Sequence, residues 1–119
     1  MKEHIFYIRE QPFTNKGGIT VVFYETESGR RTTLVSYGVA YCSPNDLFNK
    51  KIGVSLAKHS FTGNDEEINF KLSGEIEIGV KDPYLSTIRY SIVSDILRSD
   101  KTKKKWVKQL LTWYYYEYY

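Results

Sequence analysis

The chain has 119 residues and a mass of 14.0 kDa, which suits one compact domain and leaves no room for two. Hydrophobic residues make up 41% and charged residues 26%. These ordinary values exclude a disordered tail, a fibrous repeat and a disulfide-rich mini-protein. Lys and Arg exceed Asp and Glu by 17 to 14, a net charge of +3. A protein that coats DNA is more basic than this, so we expect any contact with phosphate to come from a local patch.

The sequence predicts a cytoplasmic protein without a membrane anchor. Its single cysteine, Cys42, has no partner for an internal disulfide, which fits a reducing compartment. The apolar run near the N-terminus is too short for the core of a signal peptide. No segment approaches the ~20 apolar residues that a membrane-spanning helix needs.

Three strands are predicted in the first half of the chain. They cover residues 4–9, 18–27 and 32–42, and Ser28-Gly29 marks the turn between the second and the third. Both faces of the resulting hairpin are apolar. We therefore expect a sheet that is covered on both sides or that pairs with a partner.

A helix is predicted from Pro44 to about His59. Ser43 suits the N-cap, proline suits the first helical position, and Asp46 follows the cap by three residues. At about 100° per residue, one apolar stripe is formed by Phe48, Ile52 and Leu56. Gly53 costs the helix about 1 kcal/mol relative to alanine. We therefore expect a neighbouring group or a ligand to pack close to the backbone there.

The second half of the chain adds a strand and two helices. Apolar and polar residues alternate from Ile68 to Val80, with a turn allowed at Ser73-Gly74. Asp82-Pro83 repeats the cap signal and predicts a helix to about Arg98. A last helix is expected to carry Trp106, Leu110, Trp113 and Tyr114, and the expected core includes Phe23, Phe70, Ile76, Ile88 and Ile92. The predicted fold is a single α+β domain over residues 1–119, with a mainly antiparallel sheet, one mid-chain helix and two C-terminal helices.

No catalytic signature stands out in the sequence. The two histidines and one cysteine lack zinc-ligand spacing, and there is neither a P-loop nor a nucleophile elbow. Cys42 alternates onto the same side of its strand as Gly38 and Ala40, so we interpret it as a small buried residue rather than a nucleophile. We therefore predict a protein that is not an enzyme and that uses no metal or other cofactor.

Basic residues cluster at the predicted hairpin turn, on the first helix and near the C-terminus. The three groups are Arg30 and Arg31; Lys50, Lys51 and Lys58; and Lys101, Lys103, Lys104, Lys105 and Lys108. The simplest interpretation of each group is a solvated surface. The functional alternative is contact with phosphate, because ammonium and guanidinium groups donate charge-assisted hydrogen bonds to phosphate oxygens. The start of a helix also offers free backbone N–H groups to an anion.

The segment from Tyr37 to Gly53 (YGVAYCSPNDLFNKKIG) resembles a family signature. A strand that ends in G-x-A-x-C-S-P-x-D-x-F-x-K-K-x-G is similar to the strand-to-helix signature of the first class of phage Thoeris anti-defence proteins. Those proteins act as sponges: they bind cyclic ADP-ribose isomers and so silence an immune signal, and some also hold cyclic oligonucleotides. The chain departs from the family at Val54 and at Lys58-His59, where the family places an arginine and a Gly-Arg pair.

The resemblance implies a non-enzymatic protein in the host cytoplasm that sequesters a cyclic ADP-ribose isomer. The implied partners are a small phosphorylated nucleotide and further copies of the chain, in a dimer or a hexamer. The candidate ligand-binding residues are Arg30, Arg31, Asn45, Phe48, Asn49, Lys50 and Lys51. We expect Lys50 and Lys51 to face a phosphate beside the helix start, and Arg30-Arg31 to clamp the ligand or a partner subunit.

Two other function classes stay open at this point. The first is a small phage protein that inhibits a host protein or binds nucleic acid through the basic, aromatic C-terminus, residues 101–119. The second is a hydrolase that acts on nucleotides, which is disfavoured because the sequence shows no general base or metal cluster.

The C-terminal helix also predicts an oligomer. Apolar rings surround nearly the whole end of this helix, more than the core of a domain of this size is expected to absorb. A two-fold contact hides such a patch with one self-complementary surface. The competing interpretation is a helix that packs across its own sheet with the tyrosine hydroxyl groups pointing outward.

Overall fold

The structure is a computed structural model that describes residues 2–9, 15–28, 31–62, 73–98 and 105–118. Its four strands are β1 (Lys2–Ile8), β2 (Lys16–Ser28), β3 (Thr32–Leu47) and β4 (Ser73–Ile78). Its three helices are α1 (Lys50–Thr62), which lies between β3 and β4 in the chain, α2 (Leu85–Arg98) and α3 (Lys105–Tyr118).

The strands form one sheet in the order β1-β2-β3-β4, and each neighbouring pair is antiparallel. The predicted α+β fold, with one mid-chain helix and two C-terminal helices, is confirmed. The hairpin of β2 and β3 dominates the sheet, since β2 has 13 residues and β3 has 16. Arg31, in the turn between them, has a φ of 62°.

Helices cover both faces of this sheet, as the two apolar faces of the hairpin predicted. One face packs against α2 and α3 in the main core, which is built from side chains such as Phe23, Val35, Ile88, Ile92 and Leu111. The other face packs against α1 in a smaller cluster of Val22, Ala40 and Ala57, with Tyr24 and Val54 at its margin. Of the expected core residues, Ile76 is half-buried against the main core and Phe70 lies outside the described residues.

The strand predicted at Ile68–Val80 is described only as β4. Its alternation is confirmed, because Ile76 and Ile78 pack on the core while Glu75 and Glu77 are exposed. The turn allowed at Ser73-Gly74 is wrong, since both residues pair with β3. A Cβ at Gly74 would lie 2.5 Å from the Tyr37 hydroxyl. The glycine therefore admits the tyrosine ring and does not mark a turn.

The predicted start of the mid-chain helix is wrong by six residues. Ser43 and Pro44 belong to β3, which continues to Leu47, and α1 starts at Lys50. Asn49 is the N-cap: its Oδ1 accepts the Ile52 N–H at 3.1 Å, and its carbonyl accepts the Gly53 N–H at 2.9 Å. Ser43 and Asn49 are about equally good caps in isolation. Pairing of β3 with β2 keeps the earlier residues extended, so the second cap is the one used.

The predicted apolar stripe of α1 does not face the sheet. Ile52 and Leu56 are 58% and 53% exposed, while Ala57 is fully buried. The helix instead presents Gly53 to the sheet, where an added Cβ would lie 2.4 Å from Thr20 Oγ1. The prediction that some group packs against this backbone is thereby confirmed. Close approach at the glycine determines which side of the helix is buried.

The two C-terminal helices match their predicted extents more closely. In α2 the Ile88 N–H donates to the Tyr84 carbonyl at 3.1 Å, so Tyr84 precedes the first turn. The predicted cap at Asp82 is wrong, because its φ of 51° places it in the left-handed region, unlike an N-cap residue. In α3 the buried residues are Val107, Leu110, Leu111 and Tyr114.

Candidate functional site

Two cations and two aromatic rings meet at the end of the sheet where β1 ends and α1 begins. The Arg9 guanidinium carbon lies 4.4 Å from the centre of the Phe48 ring, and Lys50 Nζ lies 5.0 Å from the centre of the Tyr7 ring. The two rings meet edge to face, with centres 5.9 Å apart. We call Tyr7, Arg9, Phe48 and Lys50 the basic–aromatic cluster. Cation–π contacts of this kind hold the charged groups against the faces of the rings.

Backbone contacts from the start of β2 position this cluster. The Phe48 N–H donates to the Asn15 carbonyl at 2.7 Å, and Arg9 Nε–H donates to the Gly17 carbonyl at 3.2 Å. A Cβ at Gly18 would lie 2.9 Å from the Phe48 ring and 3.0 Å from Arg9 Cγ. Gly17 and Gly18 also have positive φ values of 75° and 152°. Gly18 therefore allows the ring and the arginine to lie directly on the strand, while Gly17 allows the backbone of Pro44 to come close.

The first turn of α1 adds a further source of positive potential. Asn49 caps the Ile52 and Gly53 amides. The amides of Lys50 and Lys51 have no acceptor within the helix, as in the first turn of any helix. The helix dipole adds partial positive charge at this end. Arg9, Lys50 and Lys51 thus lie around a helix N-terminus, which favours an anion.

The structure brings four of the predicted site residues together. Phe48 and Lys50 belong to the cluster, Asn49 caps the helix, and Lys51 is exposed in its first turn. Asn45 is exposed a few residues earlier, in a stretch where β3 advances five residues while β2 advances two. Its backbone N–H donates to Ser43 Oγ at 3.3 Å, so it forms part of a local turn.

The predicted arginine pair, Arg30-Arg31, is not shown beside the residues from Phe48 to Lys51. Arg31 is exposed at the opposite end of the β2–β3 hairpin. Thirteen residues of β2 separate the two ends, which corresponds to roughly 40 Å of strand. Arg30 lies outside the described residues. Within one chain, Arg31 and the basic–aromatic cluster therefore cannot contact the same small ligand.

Sequence reasoning missed Tyr7 and Arg9, which it treated only as part of a strand. A signal was present, because residues two apart share one face of a strand. An aromatic residue and an arginine at this spacing on an edge strand place a ring and a cation together on the α1 side of the sheet. Which residues they meet there depends on the β1–β2 register, with Tyr7 opposite Thr20. A single sequence does not specify that register.

The remaining polar groups with marked interactions belong to the framework. Tyr37 donates a hydrogen bond to Asp95 of α2. Burial is the main cause that raises the pKa of Tyr37 far above its ordinary value, and this hydrogen bond is the next largest cause. His4 Nε2 lies 2.7 Å from Glu25 Oε2, and its ring stacks on Phe23. These pairs join neighbouring elements of the fold.

Cys42 is half-buried, which matches the predicted small inward residue only in part. Its Sγ lies 3.5–3.7 Å from the carbonyl oxygens of Ser43, Asp46 and Leu47. Within the described part of the chain, no three His, Cys, Asp or Glu side chains group as metal ligands do.

The C-terminal helix does not surround itself with exposed rings as predicted. Tyr114 is buried and stacks on Phe6 with ring centres 6.3 Å apart, and Trp106 and Trp113 pack half-buried on the main core. The domain therefore absorbs the rings of Trp106, Trp113 and Tyr114, whereas the side chains of Tyr118 and Tyr119 lie outside the described ones. Tyr116 stays 76% exposed. The oligomeric state itself remains a prediction.

None of the described helices is long and apolar enough to span a membrane. Comparison of the chain with protein-family models, with curated proteins and with solved structures found no match.

Proposed function

We propose that the protein binds a small phosphorylated nucleotide and sequesters it without degrading it, as a phage anti-defence sponge does with a cyclic ADP-ribose isomer. The observation that carries the proposal is the basic–aromatic cluster, in which Arg9 and Lys50 are held on the rings of Phe48 and Tyr7 beside the N-terminus of α1.

The cations supply the affinity for phosphate. Arg9 donates one N–H to the Gly17 carbonyl, which fixes the orientation of its planar guanidinium group. An oriented guanidinium group pairs well with phosphate oxygens because less side-chain freedom is lost on binding. Lys50 and Lys51 add charge from the helix, and the first helical amides add donors. Two phosphates joined in one small molecule suit a site with donors from Arg9, just after β1, and from α1.

The rings supply an apolar surface for the rest of a nucleotide. Tyr7 and Phe48 are both half-buried, so each leaves part of its ring accessible. Base or ribose packing on such rings contributes to nucleotide binding with little dependence on sequence. A ligand that carries both phosphates and a base therefore fits the cluster better than inorganic phosphate does.

The direct experiment is uptake followed by heating. The protein is incubated with a cyclic ADP-ribose isomer, the free ligand is measured in the filtrate, and the protein is then denatured by heat. We expect depletion of the free ligand and its intact release on heating. Consumption of the ligand would mean an enzyme, and the absence of uptake would overturn the proposal.

Charge-removing variants locate the site. Arg9→Gln and the double variant Lys50→Gln, Lys51→Gln keep the side-chain length but remove cations. Each is expected to weaken binding about tenfold or more, because a hydrogen bond to a charged group contributes roughly 1.5–3 kcal/mol. Wild-type binding should weaken at high salt, which screens the phosphate contacts.

The matched control is Lys105→Gln, Lys108→Gln, which removes two exposed cations from α3. It should bind the nucleotide like wild type. If this variant alone loses binding, or loses binding to a nucleic acid that wild type retains, the basic C-terminus is the functional surface instead.

A further inference from the structure

We infer that Arg89 of α2 is the centre of a second binding site, which takes a small organic carboxylate between α2 and the sheet. The site lies on the face of the sheet that carries the main core, whereas the basic–aromatic cluster lies on the α1 side. The inference does not rest on the proposed nucleotide ligand, because no residue of the basic–aromatic cluster takes part in it.

Arg89 points from α2 towards the sheet. Its guanidinium carbon lies 5.6 Å from the centre of the Phe6 ring, and Tyr114 of α3 stacks on the same ring. Arg89 is half-buried, while Ile92 and Val93, three and four positions later, are fully buried. Residues at these spacings share one side of a helix. An inward position that suits an apolar side chain therefore holds an arginine.

The guanidinium group of Arg89 lacks a partner that would offset this burial. Its Nε–H is buried and has no hydrogen-bond acceptor, and neither ion pair of the described residues involves it. The residues three and four positions away on α2 are not acidic: they are Leu85, Ser86, Ile92 and Val93. Burial of a charge without a counter-charge destabilises a fold. A buried donor without an acceptor is uncommon in native proteins, and a bound anion is one way to supply the acceptor.

Two carboxylates on this side of the sheet are already engaged with other groups. Glu25 Oε2 lies 2.7 Å from His4 Nε2, and Asp95 accepts the hydrogen bond of the Tyr37 hydroxyl. Arg89 thus keeps its positive charge close to apolar rings. The effective dielectric constant is lower there than in water, so an anion is attracted more strongly than it is at the surface.

The surroundings of Arg89 favour a carboxylate with an apolar body. A single guanidinium group matches the charge of a monoanion, and its planar donors match two carboxylate oxygens. The rings of Phe6 and Tyr114 offer an apolar wall to an aliphatic or aromatic group. A phosphate dianion would keep one charge without a partner beside these rings, which is unfavourable.

Titration with sodium benzoate, followed by NMR of the arginine Nε–H groups, tests the site. One resonance, assigned to Arg89 by its loss in Arg89→Lys, should shift and saturate in the millimolar range, with total salt held constant by NaCl. Inorganic phosphate should shift this resonance less. Arg9→Gln, which alters the proposed nucleotide site, should give the same benzoate curve as wild type. No saturable shift in wild type, or a larger shift with phosphate, would overturn the inference.

Thermal unfolding distinguishes a ligand-binding arginine from a merely structural one. Without ligand, Arg89→Leu should unfold at the same temperature as wild type or at a higher one, because it removes a buried charge that has no counter-charge. Benzoate should raise the unfolding temperature of wild type but not that of Arg89→Leu. The matched control is Arg98→Leu at an exposed position of the same helix, which should respond to benzoate like wild type.

Two outcomes of the unfolding experiment contradict the inference. An equal benzoate response in wild type and Arg89→Leu would place the ligand elsewhere. An unfolding temperature of Arg89→Leu far below that of wild type would show that the arginine stabilises the fold by itself. The benzoate titration of wild type does not depend on the folding of any variant, so it decides the question even if Arg89→Leu does not fold.

Discussion

At the scale of single residues, the contact of Gly53 with Thr20 determines how α1 lies on the sheet. Thr20 is buried and β-branched, so its hydroxyl has little freedom to move away. The absence of a side chain at Gly53 lets the helix backbone approach it directly. The helical cost of the glycine is therefore offset by the close packing of helix on strand.

Gly53→Ala should lower the free energy of unfolding by up to about 2 kcal/mol. The added methyl group overpacks the contact by about 1–3 kcal/mol, which outweighs the gain of about 1 kcal/mol in helix propensity. Urea unfolding measures the change. In a Thr20→Ala background the same substitution should be neutral or stabilising, and an equal loss in both backgrounds would show that Thr20 is not the cause.

A second residue-scale feature is the burial of two tyrosine hydroxyl groups. Burial raises the pKa of Tyr41, and burial together with the hydrogen bond to Asp95 raises the pKa of Tyr37. Both values lie far above the ordinary value near 10. Each group therefore binds its proton more tightly in the folded state than in the unfolded state.

The free energy of unfolding should therefore stay level up to about pH 10 and fall as the pH rises further. Above pH 10 the unfolded chain loses these protons while the folded protein keeps them. Urea midpoints measured from pH 7 to 12 check this. The free energy of unfolding of Tyr37→Phe should fall less steeply above pH 10 than that of wild type. At pH 7 this variant should be about 1 kcal/mol less stable, because Asp95 loses a hydrogen-bond donor. Tyr84→Phe controls for removal of a surface phenol at pH 7.

At the scale of elements, the sequence offers two N-cap residues for α1, Ser43 and Asn49, which lie six residues apart. Local sequence favours Ser43-Pro44, which offers both a cap and a proline. In the fold, Leu47 pairs with Lys16, and Phe48 bonds to the backbone of Asn15. These contacts give hydrogen-bond partners to the backbone in an extended conformation, so the helix begins only after Asn49.

Asn49→Ala should lower the free energy of unfolding by about 1 kcal/mol, since it removes the side-chain acceptor of the Ile52 N–H. Asn49→Asp keeps the acceptor and should be close to wild type. Ser43→Ala, at the cap expected from the sequence, should change stability by less than about 0.5 kcal/mol. A larger loss for Ser43→Ala than for Asn49→Ala, measured by urea unfolding, would contradict the observed helix start.

At the scale of the whole molecule, α3 is a core element. Leu111 is fully buried with Val107 against the sheet, while Tyr116 near the end of the helix points to solvent. In the described part of α3, the buried ring of Tyr114 and the half-buried rings of Trp106 and Trp113 help to cover one face of the sheet. The other face is covered by α1 with a smaller cluster of side chains.

Leu111→Ala should destabilise the fold by about 2–5 kcal/mol, the usual loss for a buried leucine that leaves a cavity. Tyr116→Ala should change stability by no more than about 0.5 kcal/mol. Thermal unfolding followed by circular dichroism measures both. Equal and small effects would show that α3 does not belong to the core.

The sequence by itself determined the type and order of the elements that the structure describes. The alternation in Ile76–Ile78 and the apolar faces of α2 are local patterns, and local patterns fix local conformation. It also predicted the half of the candidate site that is contiguous in the chain, from Phe48 to Lys51. Those residues share a helix start, and their proximity requires no knowledge of the rest of the fold.

Only the tertiary structure decided where α1 begins, which of its sides is buried, and which residues meet Phe48 and Lys50. Each depends on contacts between segments far apart in the sequence. Arg9 contacts Phe48, 39 positions later in the sequence, because the registers of the β1–β2 and β2–β3 pairs bring the two residues together. A one-residue slip would turn Arg9 to the opposite face. That register results from side-chain packing over the whole sheet, and no single segment encodes it.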